Sequence, residues 1–111
     1  MNKLIDLRED YLDLVKQILR NALHDEIGVS VYAFGSRVRG KAEEFSDLDL
    51  AIDKHGVKAQ ELVCRLLGDF EESDLPFKVD VIDLNGISRS FHDAIKNDLA
   101  DIMFDCKKVR L

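Results

Sequence analysis

Residues 46–53, SDLDLAID, alternate without interruption, with Leu48, Leu50 and Ile52 set against Asp47, Asp49, Ala51 and Asp53. Successive side chains of a strand point to opposite faces, so this stretch reads as a strand with one apolar face. Helices must cover such a face, which commits the chain to a layered structure of helices on a sheet.

The flanking segments supply both. Residues 4–23 place Leu7, Tyr11, Leu14, Val15, Ile18 and Ala22 on one helical stripe, and Gly28 marks a turn beyond its end. VSVYAF, residues 29–34, is β-branched and aromatic and reads as a strand entering Gly35. Ser36 is suited to cap a single turn through Arg39, which Gly40 would terminate. A helix over 58–70 carries Leu62, Val63, Leu66, Leu67 and Phe70 inward, and FKVDVIDL, residues 77–84, forms a third strand broken by Asn85-Gly86. Ser88 can cap a last helix whose buried stripe is Phe91, Ile95, Leu99 and Ile102. The order is helix, strand, turn, strand, helix, strand, helix. It predicts an α/β fold, a small mixed sheet flanked by helices, as one domain over 1–111.

Composition narrows the class. With 46% hydrophobic and 34% charged residues the chain reads as an ordinary globular protein. Its longest apolar run, residues 31–34, is far too short to span a bilayer, and the N-terminus lacks a signal-peptide core. A net charge of -6 argues against general nucleic-acid binding. Cys64 and Cys106 are widely spaced and read as free thiols of a reducing cytoplasm. His24, His55 and His92 have no ligand spacing and suit surface or helix-end positions.

Gly35, four residues, then Gly40-Lys41 matches the outline of a Walker A loop. The next residue should be Ser or Thr, whose hydroxyl ligates magnesium, and here it is Ala42. A long helix should follow, yet the chain turns straight into the 46–53 strand. The Walker reading fails on both counts. Gly35-Ser36 offers a different phosphate cradle, in which glycine admits an anion close to the backbone while N–H groups and the serine hydroxyl donate.

Asp47 and Asp49 project from one face of their strand with Cα atoms about 6–7 Å apart. Two carboxylates so placed repel, and divalent cations roughly 3.5–4 Å apart would resolve the repulsion while clamping a polyphosphate. A third carboxylate comes from FKVDVID. Asp80 lies mid-strand between Val79 and Val81, whereas Asp83 falls on the other face beside the Asn85-Gly86 turn, where capping explains it.

Gly35-Ser36, ten residues, then Asp47-Leu48-Asp49 resembles the G-S-x10-D-x-D signature of the nucleotidyltransferase superfamily that includes DNA polymerase β. The wording FGSRVRGKAEEFSDLDLAI is similar to its minimal branch, and the resemblance extends through the later VDVID strand. It implies the nucleotidyltransferase fold, with Asp47, Asp49 and Asp80 as ligands of two magnesium ions and as the catalytic carboxylates. It also implies Gly35 and Ser36 as the residues that bind the nucleotide, and Arg37, the next residue, is a further nucleotide-binding candidate for its charge near the phosphates. Such enzymes transfer a nucleoside monophosphate, here AMP from ATP, to a hydroxyl and release pyrophosphate. Minimal members are typically paired with a small helical HEPN protein as antitoxin and toxin, and transfer AMP to a tyrosine of that partner. The expectation is therefore a cytoplasmic, magnesium-dependent protein adenylyltransferase acting on a HEPN partner. The rival expectation is a non-catalytic subunit that neutralises the partner by contact alone. Arg39 and Lys41 could add positive charge near the phosphates.

Overall fold

The computed structural model describes residues 4–56 and 58–103. The elements are α1 (Glu9–Leu23), β1 (Ser30–Phe34), a 3-10 turn (Gly35–Arg37), β2 (Leu48–Asp53), α2 (Ala59–Glu71), β3 (Val79–Asp83), α3 (Arg89–Ile95) and β4 (Ala100–Asp101). Cys106 lies outside the described residues.

β2 sits inside a four-stranded sheet of order β3-β2-β1-β4. It pairs antiparallel with β1 and parallel with β3. Of the residues in β2, Leu48, Leu50 and Ile52 have no exposed surface on one face, while Ala51 is buried on the other. The first three join Val31, Ala33, Val79 and Val81 in the main core, under Val15 and Leu19 of α1 and Leu62 and Leu66 of α2. A parallel crossover such as β2–α2–β3 needs a connection of this length, and the helix returns the chain over the apolar face.

The opposite face is only partly covered. Phe34, Ala51, Leu84 and Ile95 form a second, smaller cluster beneath α3. That cover stops short of Asp49 and Asp80, which are half-buried. The sheet therefore has one face covered by α1 and α2 and one that leaves two carboxylates open.

Three expectations are corrected. The first helix begins at Glu9, not near Leu4, because the preceding segment is held extended by bonds in both directions: Asp6 N donates to Arg37 O at 2.6 Å and Arg37 donates to Asp6 O at 2.8 Å. Ser36 lies inside the turn after β1 and does not cap it; the cap position is Phe34. The last helix is capped by Ser88, whose hydroxyl accepts from Phe91 N at 3.2 Å, but it stops at Ile95. Ala100–Asp101 pairs instead with the outer edge of β1, and Ile102 N donates to Val31 O at 3.1 Å. Satisfying that edge carries Ile102 into the main core, off the stripe shared by Ile95 and Leu99.

Among the described residues, Arg37 is the charged side chain buried in the interior, 4% exposed. Its Nε donates to Ser46 O at 3.1 Å, and one terminal nitrogen donates to Ser46 O at 2.9 Å and Glu44 O at 3.1 Å. The guanidinium also lies 4.7 Å from the ring centroid of Phe77. One planar fork thus ties the N-terminal segment and the 43–46 loop to the turn after β1. Replacing Arg37 with Met keeps the stem and strands those carbonyls, so urea denaturation should show a loss of about 2–4 kcal/mol. Arg37→Lys should recover only part of it, because an ammonium cannot serve three separate carbonyls in one plane. Wild-type stability in either variant would contradict this role.

Candidate active site

The open face of the sheet brings the predicted residues together by register. Asp49 of β2 stands opposite Phe34 at the end of β1 and beside Asp80 of β3. Gly35 follows Phe34 directly, so the turn after β1, Asp49 and Asp80 lie in that order across three adjacent strands.

Gly35 adopts φ +81°, which favours glycine. A Cβ there would lie 2.5 Å from Asp49 Oδ2. The left-handed backbone requires glycine first, and any Cβ would in addition push the Asp49 carboxylate aside. Gly40, at φ +72°, turns the chain back toward β2, with Lys41 N donating to Ser36 O at 3.1 Å. Ser36 is half-buried on this turn.

Asp47 precedes β2 and is exposed. The carboxyl of Asp49 is held above its usual range, first by burial, then by the charges of Asp80 and Asp47, with Lys78 opposing. Both neighbouring acids therefore act electrostatically on Asp49. Lys78 Nζ lies 3.6 Å from Asp80 Oδ1. Nothing in the reading of the sequence singled out Lys78, although its place two residues before Asp80 on the same strand face is a usable signal.

The remaining candidates separate cleanly. Asp83 accepts from Asn85 N at 3.0 Å and caps the turn, as its position suggested. Asp53 accepts from Asn85 Nδ2 at 2.9 Å at the far end of β2. His24 closes the C-terminal end of α1, and His55 faces Asp53 at 3.8 Å. Arg39 is drawn toward Asp98 at 3.9 Å, and Lys41 is exposed. Arg37 is corrected: expected at the nucleotide, it is buried with its donors spent on main-chain carbonyls. It serves the site indirectly by fixing Ser46, the residue before Asp47.

Among the described residues, no three acidic, histidine or cysteine side chains converge closely enough to form a cage for a metal ion. The donor set nevertheless fits magnesium, which takes hard oxygen ligands and retains several waters. It is typically bound through one or two carboxylates plus substrate phosphates. Asp49 and Asp80 side by side, with Asp47 at the strand entrance, suit that open mode.

Comparison with known proteins agrees with this geometry. Residues 14–103 match the family described as polymerase beta, nucleotidyltransferase. The chain is similar to the probable protein adenylyltransferase MntA of Haemophilus influenzae, 41% identical over 92 residues, covering 83% of this chain and 78% of that protein. It also resembles the crystal structure of a Sulfolobus solfataricus protein assigned as a nucleotidyltransferase, with a TM-score of 0.52 and 25% identity. That match covers 81% of this chain and 77% of the other.

Two outcomes follow. An acid whose folded value is raised stabilises the fold below its ordinary range, and loses that contribution as pH rises through the raised value. Asp49→Asn removes the group, so in chelator its melting temperature should exceed wild type at neutral pH and converge with it in acid. Parallel curves would show that the repulsion does not matter. Gly35→Ala should cost about 1–3 kcal/mol in denaturant, combining a left-handed backbone penalty with displacement of Asp49.

Proposed function

The chain belongs to the polymerase β nucleotidyltransferase family, and on that premise we propose that it transfers AMP from ATP to a hydroxyl of a protein acceptor. The observation that carries this reading is the row formed by the Gly35-Ser36 turn, Asp49 and Asp80 across adjacent strands. The relative from Haemophilus influenzae supports the choice of a protein as acceptor.

In the reaction, the acceptor oxygen attacks the α-phosphorus from the side opposite the leaving group. The bond from that phosphorus to the bridging oxygen breaks, and pyrophosphate departs. Asp80 accepts the hydroxyl proton as the new oxygen–phosphorus bond forms. Backbone N–H groups of the turn and the Ser36 hydroxyl orient the triphosphate, and exposed Lys41 adds positive charge beside it. Asp47, Asp49 and Asp80 would hold two magnesium ions, which when bound neutralise the triphosphate and the developing pyrophosphate charge. Asp49 also buttresses Gly35 and so keeps the turn in register with the carboxylate row.

The proposed acceptor is a small helical HEPN protein, silenced by the modification, which makes this chain an antitoxin. An ATP-consuming reaction of this kind belongs in the cytoplasm. Among the described residues, no helix is long and apolar enough to cross a membrane.

Incubating the purified pair with labelled ATP and magnesium tests the reading, which expects label on the partner. Asp47→Asn/Asp49→Asn should lower transfer by at least about a thousandfold while keeping the fold, since electrostatic stabilisation is typically the largest catalytic contribution. Asp80→Asn should do likewise. Full transfer by the double variant, or a stable but unlabelled complex of the wild-type pair, would overturn the enzymatic reading.

A further inference from the structure

Beyond Asp80 the sheet ends. Among the described residues no strand flanks β3 on its outer side. Leu48 N donates to Lys78 O, and Leu84 N donates to Ile52 O, each at 2.9 Å. Alternation along a strand then directs the main-chain groups of Val79 and Val81 away from β2. Between this edge and the C-terminal part of α2 lies a cavity of about 590 Å³. Its floor is Leu67, Phe70, Leu75 and Val79, and Glu71 and Asp80 stand in its wall. The lining thus sets two carboxylates, Glu71 and Asp80, against the single lining cation Lys78, and the chain leaving α2 follows with exposed carboxylates at Glu72 and Asp74.

In-line displacement puts the incoming and leaving oxygens on opposite sides of phosphorus. With the triphosphate at the turn after β1, the acceptor must arrive across Asp80, from the outer side of β3. The groove occupies that approach. Its acidic rim repels a nucleotide and attracts a cationic chain, its floor accepts an apolar side chain, and its edge offers main-chain partners to an extended segment.

We propose that the groove between β3 and α2 docks a basic segment of the acceptor protein, anchored by an apolar side chain, so that a nearby hydroxyl reaches Asp80. This rests on the transferase reading for its direction of approach. The docking itself is read independently of turnover.

The probe is a short synthetic peptide of lysines and leucines around one tyrosine, titrated into isotope-labelled protein alongside a glutamate counterpart. Amide shifts at Leu67, Leu75, Val79 and Val81 are expected with the lysine peptide alone. Glu71→Lys/Asp74→Lys should weaken that binding at least tenfold. Asp13→Lys/Glu61→Lys should not, since Glu61 sits about 15 Å back along α2 and Asp13 lies on α1. Shifts elsewhere, no shifts at millimolar peptide, or equal weakening by both pairs would overturn the proposal. So would wild-type self-association that Glu71→Lys/Asp74→Lys abolishes, which assigns the groove to a second copy. In the transfer assay, Glu71→Lys/Asp74→Lys should raise the KM for acceptor at least tenfold and leave the KM for ATP unchanged. Transfer unaffected by that pair sinks the dock and spares the transferase reading; groove binding without any transfer does the reverse.

Discussion

The parallel pairing of β2 with β3 sets Asp49 directly beside Asp80, and the rest of the molecule has to hold that repulsion in place. At a strand spacing of about 4.8 Å and an effective dielectric of about 20, two such charges cost roughly 3.5 kcal/mol, less where water reaches them. The same strand buries Leu48, Leu50 and Ile52 completely on its other face. Three such side chains contribute roughly 5–9 kcal/mol. The apolar face wins, so the acids stay paired in register, with Lys78 offsetting part of their repulsion.

Register alone would leave the site unfinished, because Asp47 and the phosphate turn lie outside the strands. Arg37 closes that gap. By donating to Asp6, Glu44 and Ser46 carbonyls it fixes the loop that delivers Asp47 and the turn that presents Gly35 and Ser36. Gly35 completes the arrangement from the other side, since only a residue without Cβ tolerates the Asp49 carboxylate so near. The site is thus assembled from one strand pair, one buried cation and one glycine. On the proposed function, the acidic groove beyond β3 gives the carboxylate row a direction, with the phosphate turn at one end and the acceptor's approach at the other.

Much of this was legible in the residues. The alternation of 46–53 and the helical stripes gave the layers, and the bounds of α2 differ from expectation by one residue. The choice of Asp80 over Asp83 followed from position within the strand, and Asp83 does cap its turn. Legibility failed where a local pattern competed with a distant partner. Leu99 and Ile102 continue a helical period, but β1 had an open edge and took Ala100–Asp101 as a strand. Arg37 sits among other basic residues of a glycine-rich turn, and nothing nearby in the chain discloses the main-chain carbonyls that claim it.

What the sequence determined by itself is the chemistry available: a face of carboxylates backed by an apolar face, a glycine-serine turn ten residues before them, and helices enough to cover one side. Those depend on periodicity and spacing, which are local and survive in a linear reading. What only the tertiary structure decided is which groups meet. That Gly35 is pressed against Asp49, that Arg37 is buried, and that among the described residues β3 ends the sheet beside an acidic groove all depend on strand order and long-range hydrogen bonds. Such contacts join residues far apart in the chain, and no local period encodes them.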